Sequence, residues 1–132
     1  MIEIGTHVYV QRKFYTHHGI WLGDEKIIHY TGEPGDVANA EIAVTTVDQF
    51  LKGGDLKVRD YPSPFPPAEI VARALLRLGE KNYHLLYNNC EHFAVWARLG
   101  QPKSVQVERG VEAAFKFAKD LLKPPPCGKS PT

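Results

Sequence analysis

The run Asn88-Asn89-Cys90-Glu91-His92-Phe93 holds the side chain best suited to covalent chemistry. A thiol attacks carbonyls well only as the thiolate, and the unpaired amides and dipole of a helix N-terminus favour that anion. Asn88 and Asn89 are good N-cap residues, so Cys90 is expected in the first turn of a helix, with its pKa below the ordinary thiol value. The same amides, with the Asn89 side chain, would hold an oxyanion. Glu91 suits the first turn as a partner of the dipole. A free cysteine is also among the most often buried residues, and spacing alone does not separate a nucleophile from a packed thiol.

A nucleophilic cysteine needs a base, and the chain carries six histidines. His17 and His29 fall in two stretches that read as strands. Side chains alternate along a strand, so His17, Gly19 and Trp21 share one face and His18, Ile20 and Leu22 the other. Whether His29 joins His17 depends on the turn. A two-residue loop (Gly23-Asp24) puts them on opposite faces. A three-residue loop (Gly23-Asp24-Glu25) pairs Leu22 with Lys26 and sets His29 diagonal to His17, roughly 7–8 Å away. His92 is too far around its helix from Cys90 to serve, and is expected to bond a nearby backbone group. Adjacent histidines on a strand point apart and no CxxC or HExxH spacing occurs, so no metal site is expected.

The elements that position these residues follow from local pattern. Thr6–Val10, Ile20–Leu22 and residues 26–30 are rich in β-branched and aromatic residues, with Gly23-Asp24 as turn chemistry, and predict a hairpin. Residues 31–41 are loop. Thr46 and Gln49 fit a capping box that opens a short helix through Leu51, stopped by Gly53-Gly54. Leu56, Val58 and Tyr61 suggest one more short strand before four prolines between residues 62 and 67. Ile70, Val71, Ala74, Leu75 and Leu78 then form a helical stripe, with Glu69, Arg73 and Arg77 off it and Gly79 as its stop. A second helix runs from about Cys90 to Leu99, burying Phe93, Trp96 and Ala97 and ending at Gly100-Pro102. A third, amphipathic helix is expected over 111–122. Strands followed by helices predict an α+β fold, a small antiparallel sheet with helices packed on it.

The composition sets the class. At 132 residues, 43% apolar, the chain has room for one core. Charged residues make up 23% and the net charge is +1, which leaves no electrostatic footprint for nucleic acid. Apolar runs fall far short of the ~20 residues of a bilayer crossing. No signal-like opening is present, so Cys90 and Cys127 are expected as thiols in a cytoplasmic protein. The expected organisation is one domain over residues 1–123, its segment 105–123 an accessory helix, and a disordered tail over 124–132.

Asn89-Cys90-Glu91-His92-Phe93, taken with the run Arg12 to Asp24 and with Ile27-Ile28-His29, resembles the lecithin retinol acyltransferase-like domain. That family includes the H-Ras-like suppressor phospholipases and acyltransferases. It is a permuted relative of papain-like, NlpC-type thiol hydrolases. The resemblance covers roughly residues 3–100. It implies Cys90 as nucleophile, His17 as general base, His29 as the third member that orients His17, and Asn89 and Tyr15 as supporting residues. It implies a phospholipid or other acyl-ester substrate and no cofactor. Two departures stand out. Ile4-Gly5-Thr6 replaces the usual Pro-Gly-Asp, and the membrane-spanning C-terminal helix of many animal relatives is missing. Charges across 105–122 leave that segment at most peripheral contact with a membrane. The rival readings are an amidase or peptidase with the same residues, and a catalytically silent lipid-binding or interaction module.

Overall fold

A computed structural model describes residues 2–32, 39–81 and 89–100. The expected helix over 111–122, the segment 105–123, the tail and Asn88 lie outside the described residues. Five antiparallel strands make one sheet: β1 (His7–Gln11), β2 (Thr16–Gly23), β3 (Lys26–Tyr30), β4 (Ile42–Thr46) and β5 (Lys57–Arg59). Their spatial order is β4-β3-β2-β1-β5. Among the described residues three α-helices accompany them, α1 (Val47–Leu51), α2 (Pro67–Leu76) and α3 (Cys90–Leu99). The architecture is the small antiparallel α+β fold expected from the sequence.

Alternation gives the sheet two apolar faces. Ile20, Ile28, Tyr30 and Ile42 point one way, under Ile70 and Ala74 of α2 and Phe93, Ala94 and Ala97 of α3. Val8, Val10 and Ile27 point the other way and bury Phe50 of α1. The β2–β3 turn decides which residues land where. Asp24 (φ 53°) and Glu25 (φ 57°) are both left-handed and form a two-residue turn closed by Gly23 opposite Lys26, as tight hairpins require. A bulge between Trp21 and Gly23 then inserts one residue, so that Trp21 faces Ile27 and Ile20 faces Ile28. The turn itself differs from both loops considered above, yet the bulge restores the parity of the three-residue one. His29 therefore lies diagonal to His17.

Gly19 lies on the His17 face, and the sheet is closed tightly around it. A Cβ there would fall 2.6 Å from Cγ2 of Ile27 and 3.1 Å from Cβ of His29. Ile27 is buried and branched, so it has little room to yield. Gly19→Ala is expected to cost about 1–3 kcal/mol by overpacking, read as a lower denaturant midpoint at unchanged slope.

The capping box at Thr46 and Gln49 opens α1 as expected: the Gln49 amide donates to Thr46 Oγ1 at 3.2 Å and the Thr46 amide to Gln49 Oε1 at 3.0 Å. The stop comes one residue before the glycine pair, because Lys52 itself takes the left-handed conformation (φ 46°) that closes many helices. Strand β4 had no counterpart in the sequence reading. Only Ile42 of its five residues is buried, so its apolar alternation is too weak to announce it. In α2 the helix ends at Leu76, ahead of Gly79, and Leu78 is exposed rather than part of the stripe. Arg73, expected off the apolar side, is instead 4% exposed. Its Nε and Nη2 donate to the carbonyls of Ala97 and Trp96 at 3.0 and 2.9 Å, between the rings of Phe65 and Trp96. The guanidinium thus satisfies the Ala97 carbonyl near the end of α3 and shares that of Trp96 with the Gly100 amide.

Candidate active site

Helix α3 begins where the sequence placed it. Asn89 is its N-cap, with Oδ1 accepting from the His92 amide at 3.0 Å, while the Asn89 amide donates to His92 Nδ1 at 3.4 Å. His92 thus bonds a backbone group, as expected, and the Asn89 oxygen serves the cap. Cys90 is buried in the cluster with Ile20 and Ile28, on the α2/α3 face of the sheet. Backbone amides of His18 and Glu91 lie near enough to the sulfur to favour its thiolate. Glu91 turns outward to Arg59 on β5, at 2.6 Å, and that bond holds its carboxyl below the usual range.

The expectation of a lowered thiol pKa is corrected. Burial pushes the Cys90 thiol up, and the nearby backbone amides recover only part of that shift, because loss of solvent penalises the charged form first. A capped helix start favours a thiolate only where the sulfur keeps some solvent, and here apolar neighbours surround it. Iodoacetamide is therefore expected to alkylate Cys90 more slowly at pH 7 than a solvated cysteine in a model peptide, with the rate still rising above pH 8.5. Mass spectrometry of the modified peptide against pH checks this.

His17 and His29 meet on the other face. Nε2 of His17 lies 2.9 Å from Nδ1 of His29, and Nε2 of His29 lies 2.8 Å from Thr45 Oγ1. Both rings pack on Phe50, with centroids 5.2 and 4.9 Å away. Two proton arrangements fit the chain. In one, His17 donates to His29, His29 to Thr45, and the Thr45 hydroxyl to the Thr46 carbonyl at 3.2 Å, which leaves Nδ1 of His17 as a lone pair. In the other, Nδ1–H of His29 donates to the Tyr30 carbonyl at 3.2 Å and to His17. Burial, then the neighbouring cations, holds both imidazoles well below their ordinary pKa; for His17 the charge on His29 adds to this. Both rings are neutral at pH 7.

The sulfur and the His17 ring stand on opposite sides of β2, so the structure does not bring together the nucleophile and the base that the resemblance implies. The β2–β3 pairing ends at Ile20 and Ile28, so His18 lies beyond the last paired residues. Among the described residues no hydrogen bond joins Cys90 to a histidine ring. Tyr15 precedes β2, and its carbonyl accepts from the Arg12 amide at 2.7 Å and Gln11 Nε2 at 3.1 Å, closing the β1–β2 turn.

Sequence reasoning missed a second histidine pair. Nδ1 of His18 lies 2.8 Å from Nε2 of His7, whose Nδ1 lies 2.8 Å from the Tyr61 hydroxyl; Nε2 of His18 lies 2.8 Å from Thr16 Oγ1. Both rings are buried, on the Ile20 face. The adjacency of His17 and His18 showed only that one must turn away. Its partner depended on the β1 register, which sets Tyr9 opposite His18 and His7 two residues along.

His17 and His29 line a cavity of about 190 Å³ together with Arg12, Thr45, Gln49 and Lys52. Among the described residues no group of three His, Cys, Asp or Glu could hold a metal ion, and no helix is long and apolar enough to cross a membrane.

Residues 1–103 match the family pattern described as "Lecithin retinol acyltransferase". The chain is 32% identical to lecithin retinol acyltransferase of Rattus norvegicus over 139 residues, covering 84% of this chain and 60% of that protein. It is 32% identical to phospholipase A and acyltransferase 1 of the same species, covering 81% of this chain and 74% of the relative. With phospholipase A and acyltransferase 3 of Homo sapiens it shares 30% identity, over 83% of this chain and 78% of the relative. The chain thus spans about 60% of the length of the lecithin retinol acyltransferases it matches. Every described residue falls inside the matched range, and the chain belongs to the lecithin retinol acyltransferase family.

Proposed function

We propose that this chain is a cysteine-dependent acyl hydrolase and acyltransferase that acts on the esters of glycerophospholipids. The family and the named activities of the relatives support the class: acyltransferases and phospholipases. The single observation that carries the mechanism is the seat of the thiol in the first turn of α3, directly after the Asn89 cap. The chain order, histidine strands before the cysteine helix, agrees with a permuted papain-like arrangement.

Cys90 is the nucleophile and His17 its base. The His17 ring lies on the side of β2 away from the sulfur, so its role as base rests on the family resemblance and requires ring and sulfur to meet on one side in the acylating state. As the sulfur attacks the ester carbonyl, its proton passes to Nδ1 of His17, while Nε2–H remains on His29 and fixes the tautomer. The carbonyl oxygen becomes an oxyanion that amides at the start of α3 stabilise. Collapse breaks the ester C–O bond, and the imidazolium of His17 returns its proton to the departing glycerol oxygen. Water, or an amine or alcohol acceptor, then attacks the Cys90 thioester, gives its proton to His17, and the sulfur recovers it on leaving. His29 and Thr45 carry no formal charge, so they orient His17 more than they stabilise its cation.

The test is to incubate the protein with a short-chain phosphatidylcholine, quench in acid and weigh the intact chain. The expected product is an added acyl group on Cys90 that hydroxylamine removes. Fatty acid released at the same rate by Cys90→Ala would overturn the proposal. So would an intact substrate with Cys90 unmodified, since a silent module or an amidase gives that result.

A further inference from the structure

The β1–β2 turn carries Phe14, which at 86% is the most exposed large apolar side chain among the described residues. One exposed phenylalanine is ordinary on a protein surface. Its setting is not. The turn is braced from within, the Arg12 amide donating to the Tyr15 carbonyl at 2.7 Å and Gln11 Nε2 to the carbonyls of Arg12 and Tyr15 at 2.8 and 3.1 Å. Arg12 ties it to the end of α1, its Nη1 and Nη2 donating to the carbonyls of Leu51 and Phe50 at 3.0 and 2.7 Å. Phe14 is therefore held out on a fixed tip, with Lys13 Nζ 5.4 Å from its ring centroid. The segment after α1 lies alongside. A Cβ on Gly54 would fall 2.6 Å from Val10 Cγ2, and Lys57 at the start of β5 pairs with Tyr9. Residues 11–15 and 52–57 thus carry Arg12, Lys13, Lys52 and Lys57 against one carboxylate, Asp55, in a chain whose net charge is only +1. Lys13 and Lys57 are exposed. A projecting aromatic ring flanked by long, exposed lysines suits the boundary between water and an anionic lipid layer.

We propose that this tip docks the protein on an anionic phospholipid surface, with Phe14 entering the headgroup layer and Lys13 and Lys57 meeting lipid phosphates. The choice of a lipid surface rests on the reading of the chain as a phospholipid acyl hydrolase, and the proposal adds how that enzyme meets its substrate. The tip closes one end of the sheet and belongs to neither face, so docking there does not depend on which side of β2 the thiol occupies. His18, whose amide lies near the sulfur, follows Phe14 by four residues, at most about 13 Å of extended chain. An interfacial element sinks about 5–10 Å into the lipid layer, so a substrate leaving that layer has a short path to Cys90. A second copy of the chain is the poorer occupant, because two such tips would set like charges against each other.

The experiment measures co-sedimentation of the full chain with vesicles of pure phosphatidylcholine and of equimolar phosphatidylcholine and phosphatidylserine. The variants are Phe14→Ser, Phe14→Trp, Lys13→Gln and Lys57→Gln. All three positions are exposed and lie outside both apolar clusters, so these variants should fold. The unaltered chain is expected to bind the mixed vesicles. Phe14→Ser should weaken that partitioning about tenfold or more, the loss of one buried aromatic ring. Phe14→Trp should keep it, with emission that moves to the blue on the vesicles. Lys13→Gln and Lys57→Gln should each cost about fivefold on the mixed vesicles and little on the neutral ones. Hydrolysis of a short-chain phosphatidylcholine dissolved as monomers should be unchanged in Phe14→Ser, while hydrolysis of the same ester within mixed vesicles falls with binding. Equal vesicle binding by Phe14→Ser and the unaltered chain would overturn the proposal and leave the hydrolase reading intact. So would self-association through Phe14 without binding to vesicles, which would make a second copy the occupant. Vesicle binding that depends on Phe14, with neither dissolved nor vesicular ester cleaved, would instead remove the hydrolase reading and keep the docking surface.

Discussion

His17→Gln is expected to slow acyl-enzyme formation by about 10²–10⁴-fold, the range for losing a positioned general base, and Cys90→Ala to remove the acyl-enzyme altogether. Glutamine keeps a donor toward His29 but cannot take the thiol proton near pH 7. His29→Gln can still accept from Nε2–H of His17 and reach toward Thr45, so it should keep substantial activity. His18→Ala isolates the alternative. The His18 ring is bonded on both nitrogens, to His7 and to Thr16, and no hydrogen bond of the described residues joins it to the sulfur. That variant should keep most of its turnover per folded molecule while losing stability, because His7 loses a buried partner. Pre-steady-state acylation with matched unfolding curves separates the two effects. Loss of acylation in folded His18→Ala, with His17→Gln still active, would assign the base to the wrong face of β2.

Below pH 6.5 the domain is expected to lose stability steeply. Imidazoles in the unfolded chain titrate near 6.5. In the folded protein burial lowers His7 to about 3, and His18 and His29 to about 4, with His17 also far below its ordinary value. Between those limits the unfolded chain binds protons that the native one does not, so stability rises with pH. The full stability is present above 6.5 and is lost on acidification, until the native rings themselves protonate near pH 4 and below. Each histidine contributes up to about 1.4 kcal/mol per pH unit in that window. With four such rings in one small domain, whose whole stability is of order 5–15 kcal/mol, unfolding is expected before the native rings titrate. Denaturant midpoints between pH 8 and 4 check this. A midpoint constant from pH 7 to pH 5 would show that the buried rings take up protons without unfolding.

The features written in local pattern were legible in the sequence. Capping chemistry at Thr46 and Asn89 located the starts of α1 and α3, because a cap is a contact between residues three apart. The Asn-Cys-Glu-His-Phe run and the histidines of β2 and β3 pointed to the family for the same reason: the motif residues are close in the chain. What only tertiary structure decided concerns groups brought together from a distance. Whether His29 joined His17 turned on a bulge in β2, a one-residue shift that moves every later side chain to the other face. Arg73 is buried because the carbonyl end of α3, more than twenty residues on, needs a donor. The His7–His18 pair follows from the register of β1, and β4 is an edge strand whose residues hardly alternate. The thiol shows the division most directly. Its place at a capped helix start was readable from three adjacent residues, while its raised pKa comes from the sheet and helices that enclose it, and burial outweighed the amides.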